Sequence, residues 1–185
     1  MRTRPDLASL ISNLDETNEE GNYLFSIMRA FRLGHLLKRL FDENEFLSDY
    51  GIRSLSKYHE KHPFVFKHHG HHQIQYEPGE SRSNMFGGNS NWRGPIWMPL
   101  NYLFIKSLNE YNIYYKNSIS FECPTGSNNQ QSLDQIISEL GKRLIQIFKK
   151  DSSGNRPVNT LHSEKYKDPN YLVVHTPSFC ELVST

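Results

Sequence analysis

Residues 96–111 constrain this chain more than any other segment. Ile96, Trp97, Met98, Leu100, Tyr102, Leu103, Phe104, Ile105 and Leu108 spread over nearly every side of a helical wheel. A helix apolar all round is predicted to be an inner element shielded by others. Pro95 suits its first turn, and Pro99 lies close enough to the start to cost little. A loop rich in glycine and asparagine runs straight into it. Residues 86–103 hold three glycines, three asparagines, one arginine and both tryptophans of the chain, Trp92 and Trp97. Such a loop can form a wall for a flat polar ligand such as a sugar. Aromatic rings stack on sugar C–H faces, while Arg93 and amides such as Asn89 exchange hydrogen bonds with hydroxyls. The same residues also suit a structural turn, with tryptophan in the core and arginine paired to a carboxylate.

Two further helices are legible. Leu24, Ile27, Met28, Phe31, Leu36, Leu37, Leu40 and Phe41 recur at helical spacing and predict an amphipathic helix over 22–41. Ser132 and Gln135 form a capping box before the stripe Leu133, Ile136, Ile137, Leu140, Leu144, Ile147 and Phe148, which predicts an outer helix over 132–149. A short helix is expected over 5–13, a turn at Gly51, and one or two helical turns within 53–60. Around Gly70 the pattern predicts two short extended segments joined by a turn, a hairpin near 63–77.

Composition removes several function classes. The 185 residues carry 21 basic and 20 acidic side chains, a formal charge of +1. With no basic stripe, nucleic acid and anionic membrane are not expected partners. Aromatic residues make up 12%, which argues against disorder despite a mean hydropathy of −0.67. No signal peptide or membrane span is expected. The spacing of Cys123 and Cys180 matches no metal motif, and a reducing, cytoplasmic compartment is the default.

Among candidate sites, the 92–97 loop comes first. The histidines His59, His62, His68, His69, His71 and His72 cluster about a predicted turn tip; a solvated loop explains them, and a weak metal-binding module is the alternative. The carboxylates Glu77 and Glu80 stand three apart across Pro78-Gly79. They suit bracing Arg82 or Arg93, or binding hydroxyls, better than the facing carboxyl pair that glycoside hydrolysis needs. No cofactor or metal is expected.

Tyr76-Glu77-Pro78-Gly79-Glu80-Ser81, the run from Phe86 through Asn91-Trp92-Arg93-Gly94-Pro95-Ile96-Trp97 to Leu103, and Glu122-Cys123-Pro124-Thr125-Gly126-Ser127 resemble the C-terminal part of glycoside hydrolase family 63 proteins. These are the mannosyl-oligosaccharide glucosidase-like and mannosylglycerate hydrolase-like enzymes. The resemblance extends over roughly residues 4–170. It implies an all-α fold, an incomplete (α/α)6 toroid of helical hairpins carrying the short extended hairpin near 63–77. It implies an inverting hydrolysis of an oligosaccharide or glycoside substrate, with one carboxylic acid and one carboxylate. It further implies that Trp92, Arg93 and Trp97 contact the sugar, with Gly94 allowing close approach and Glu80 and Asn89 among the substrate-binding residues.

The departures from the family pattern shape the expectation as much. The general acid of such enzymes usually lies ahead of the matching region. Asp168-Pro169 is present, but Glu181 stands in the wrong context for the base, and residues 174–185 form a divergent tail. The chain 1–185 is therefore expected to be a single partial domain that supplies part of a sugar subsite, is inactive alone, and is completed by an N-terminal segment. The alternatives are a non-catalytic carbohydrate-binding remnant and the histidine-rich metal module.

Overall fold

The computed structural model describes residues 16–67, 72–78, 92–154 and 156–159. Within them lie three α-helices: α1 (Ala30–Leu40), α2 (Met98–Tyr115) and α3 (Leu133–Gln146). Three two-stranded antiparallel ladders lie between and beside the helices. β1 (Leu47–Ser48) pairs with β2 (Gly51–Ile52), β3 (Phe64–Phe66) with β4 (His72–Ile74), and β5 (Ser120–Glu122) with β6 (Gln130–Ser132).

This corrects the all-α expectation. The described residues alternate helices with small ladders and do not form successive helical hairpins of a toroid. The reason is local. Strands of two or three residues, such as Gln130–Ser132, are too short and too polar to show a period of two, so helical periodicity dominates the pattern. The β3–β4 ladder falls within residues 63–77, with Phe64 opposite Ile74 and Phe66 opposite His72. The short helix expected over 5–13 and the tail at 174–185 lie outside the described residues.

Each helix also differs from its sequence pattern in an explicable way. α1 begins at Ala30, eight residues later than expected. The Ser26 hydroxyl accepts the Met28 amide at 2.9 Å and lies 2.5 Å from the Tyr111 hydroxyl. A side-chain turn of this kind competes with helix formation. Ile27, part of the apolar stripe, is exposed, as is Phe25 beside it. The C-terminal end of α1 is closed by Thr125, whose hydroxyl donates to the Lys38 carbonyl and whose amide donates to that of Phe41.

α2 starts at Met98 because Ile96 is held extended in an antiparallel bridge with Arg53. It is not buried on all sides. Asn101 and Leu108 are its buried residues, while Leu100, Tyr102, Leu103 and Ile113 face outward. α3 follows its stripe closely. Leu133, Ile136, Leu140 and Leu144 are buried. The capping box is formed, with the Ser132 hydroxyl accepting the Gln135 amide and the Gln135 side chain accepting the Ser132 amide. Ser132→Ala removes one of these bonds and is expected to cost about 1 kcal/mol, read as a lower urea midpoint at unchanged slope.

The main core joins all three helices. Leu33, Leu37 and Phe41 of the α1 region meet Leu47 and Ile52 of the first hairpin, Leu108 of α2, Cys123, and Leu133, Ile136 and Leu140 of α3. A second cluster of Ile96, Leu144, Ile147 and Val158 lies under the start of α2. Polar ties lock the hairpin between them. Arg143 donates to the Ser48 carbonyl at 2.7 Å. Asn101 presents both faces of its amide to Ile52, accepting from the backbone amide at 2.8 Å and donating to the carbonyl at 2.9 Å. Its Nδ2 also donates to the Trp97 carbonyl at 3.0 Å, so one side chain ties the hairpin to the entry of α2.

Candidate functional site

The 92–97 loop is built on two supports. The first is the backbone after β2. Arg53 bridges Ile96, the Ser54 amide donates to the Pro95 carbonyl at 3.1 Å, and the Gly94 amide donates to the Ser54 hydroxyl at 3.0 Å. Arg53 is itself buried, with its guanidinium donating to the carbonyls of Glu43, Glu45 and Leu47. The second support is the segment after β4. The Glu77 amide donates to the Arg93 carbonyl at 2.6 Å, and the Tyr76 amide to the His59 carbonyl at 3.3 Å.

Between these supports lies a buried ion pair. Arg93 Nη1 stands 2.7 Å from Glu77 Oε2, with the two side chains only 2% and 4% exposed. Gln75 donates its side-chain amide to the other carboxylate oxygen, Oε1, at 2.7 Å. Of the arginines that Glu77 was suited to brace, the structure pairs it with Arg93. Tyr76 is buried beside them, and burial raises its hydroxyl above the usual tyrosine range while Arg53 opposes the rise. The phenol therefore keeps its proton at neutral pH.

Gly94 explains how the layers fit. Its φ is +131°, and a Cβ built there would lie 2.3 Å from Tyr76 Cε2. The close approach that Gly94 allows in this structure is that of the Tyr76 ring. Beyond the ion pair the tryptophans come together. Trp92 is 55% exposed, and its ring meets that of Trp97 edge to face at 3.9 Å and 69°.

The arrangement is a solid wall with one exposed aromatic face. Trp92, Trp97, Arg93 and Gly94 are brought together; Glu80 and Asn89 lie outside the described residues. Sequence reasoning did not single out Ser54, Gln75 or Asn101, the polar groups that position the loop. Their only signal was polarity next to apolar runs, which is common to many loops.

The described histidines form no comparable assembly. His59 and His62 point ring nitrogens at the backbone carbonyls of His62 and Tyr58, and the His62 ring stacks on Tyr58 at 4.2 Å. His68, His69 and His71 lie outside the described residues. Among the described residues no group of three His, Cys, Asp or Glu is placed to hold a metal ion. Cys123 is buried, and burial pushes its thiol up to about 11, which leaves it un-ionised at neutral pH. No helix among the described residues is long and apolar enough to cross a membrane.

With this geometry in view, comparison with known proteins identifies the chain's relatives. Residues 24–154 match the model of the glycosyl hydrolase family 63 C-terminal domain. The chain is 42% identical over 183 residues to an uncharacterised protein of Saccharomyces cerevisiae, a match covering 97% of this chain and 17% of the yeast protein. It is 34% identical over 114 residues to a probable mannosyl-oligosaccharide glucosidase of Schizosaccharomyces pombe, covering 62% of this chain and 10% of that protein. The chain thus spans less than a fifth of the length of these relatives.

Proposed function

This chain belongs to glycosyl hydrolase family 63, and from that premise we propose that its 92–97 loop forms part of a sugar-binding subsite for an oligosaccharide or glycoside. Trp92 offers the stacking face, Trp97 fixes that face by its edge, and Arg93 holds the loop through Glu77. The family resemblance adds Glu80 and Asn89 as hydroxyl-binding residues in this proposal. The observation that carries this reading is the exposed Trp92 ring, packed edge to face on Trp97 and next in the chain to Arg93 of the buried ion pair. A rigid aromatic platform loses little entropy when a sugar stacks on it.

Glu77 is a brace in this reading, not a catalytic carboxyl. One of its oxygens accepts from Gln75 and the other is paired with Arg93. A general acid or base must instead present an oxygen to the glycosidic bond or to the attacking water. The chain by itself binds sugar and does not cleave it. Hydrolysis, in this proposal, is the work of the longer family polypeptide, acting on a glucosidic or related bond with inversion.

Titration with glucose or kojibiose, followed by tryptophan fluorescence, tests the binding. Saturable change is expected in the wild type and loss of that change in Trp92→Ala. A wild-type spectrum indifferent to both sugars would sink the subsite. Release of glucose from kojibiose by the purified 185-residue chain would overturn the non-catalytic part.

A further inference from the structure

At the far end of α2 from the tryptophans, a cleft of about 620 Å³ opens between residues 17–19 and 114–118. Its volume is within the range of about 300–1,000 Å³ typical of small-molecule sites. An 18-residue helix rises about 1.5 Å per residue. The two ends therefore stand roughly 27 Å apart, too far for one sugar unit to touch both.

The cleft is held by contacts distant in sequence. Asn18 Nδ2 lies 3.4 Å from the carbonyls of Ile113 and Tyr114, and the Tyr114 hydroxyl donates to the Glu16 carbonyl at 3.4 Å. Lys116 Nζ meets Glu20 Oε1 at 2.7 Å. The floor is aromatic. Tyr114 and Tyr115 pack edge to face at 4.9 Å, and Tyr115 runs parallel to Tyr111 at 6.4 Å. Burial raises the Tyr115 hydroxyl above its ordinary range, against a backbone hydrogen bond at Ala30 that lowers it. Asn18 is spent on holding the cleft, its Oδ1 accepting the Glu20 and Asn22 amides, while Thr17 and Asn117 supply hydroxyl and amide groups that both donate and accept.

Charge narrows the ligand. Lys116 stands against a cation. Glu19 and the carbonyl end of α2 stand against an anion. What remains is a neutral molecule with an apolar face for tyrosine and a rim of hydroxyls for the amides. We propose that this cleft is a second carbohydrate site, which takes one neutral pyranose unit independently of the Trp92 wall.

The test is two-dimensional NMR of the labelled full chain titrated with methyl α-glucoside. Backbone amides of 17–18 and 114–118 are expected to shift saturably, and to do so equally in Trp92→Ala. Asn117 is exposed, so Asn117→Ala leaves the fold intact. It is expected to weaken those shifts about threefold to tenfold, the loss of one hydrogen bond, while the tryptophan fluorescence response to glucose is unchanged. Tyr114→Phe serves as a second variant; it keeps the ring but loses the bond to the Glu16 carbonyl that holds the cleft, and it too should weaken the shifts. Unchanged shifts in both variants would count against a site built on these groups. Amides of 17–18 and 114–118 that stay still while the sugar is raised would overturn the proposal. So would a response to tetramethylammonium without one to the glucoside. Because the fluorescence and the NMR shifts report opposite ends of α2, failure of one site leaves the other distinguishable.

Discussion

Glu77→Ala is expected to lower the stability of the chain by about 3–5 kcal/mol, because it strands the Arg93 guanidinium in an interior where the side chain is 2% exposed. For a chain of this length that corresponds to a melting temperature lower by roughly 6–20 °C. The backbone bond from residue 77 to the Arg93 carbonyl survives the substitution, so the loss reads the charge and not the strand. Replacing both partners, Glu77→Met with Arg93→Met, should recover most of the deficit, since a well-packed apolar pair avoids the desolvation cost altogether. Thermal melts of the three proteins decide it. If Glu77→Ala melts with the wild type, the pair contributes nothing and Arg93 is held by other groups.

Gly94→Ala is the second large effect. The new methyl group meets the Tyr76 ring at 2.3 and 2.5 Å, and the backbone stays at a φ of +131° that side chains rarely tolerate. Strain of this kind costs about 1–3 kcal/mol, and overpacking adds about 1–3 kcal/mol. The two parts separate in a double-mutant cycle with Tyr76→Ala. Removing the ring relieves the clash and leaves the backbone strain, so the alanine at 94 should cost less, but still something, in the Tyr76→Ala background. Equal cost in both backgrounds would mean that the ring is not what Gly94 makes room for. The sugar-dependent fluorescence change is expected to weaken in Gly94→Ala even where the protein remains folded, because the glycine follows Trp92 and Arg93 in the loop and packs against Tyr76.

The sequence foretold some of this and hid the rest, for physical reasons. α3 was readable because its two signals are local: a capping box and a stripe at one spacing. α1 reads as longer than it is because Leu24 and Ile27 obey the helical period, while the Ser26 turn that opposes it depends on Tyr111, 85 residues away. α2 reads as a central helix because composition cannot tell an apolar face that is packed from one left outward, as Tyr102 and Leu103 are. The β1–β2 and β5–β6 ladders are too brief to show a period in the sequence, and with them went the all-α toroid. At the site, the gathering of Trp92, Arg93, Gly94 and Trp97 was implied by one contiguous run. The choice of Glu77 as the partner of Arg93, and the use of Gly94 to admit Tyr76, depend on a register between two separate segments. No spacing within either segment encodes it.

Asn101 carries a consequence for how the chain is made. Its amide takes the place of a missing strand opposite Ile52, 49 residues earlier. Chains emerge from the ribosome at about 5–20 residues per second. The first hairpin therefore waits on the order of seconds before the group that completes its hydrogen bonding exists. α3, which covers the same hairpin through Arg143, arrives later still. Such long-range closures slow folding. The tryptophan wall, whose entry geometry Asn101 fixes, is thus a late product of biosynthesis.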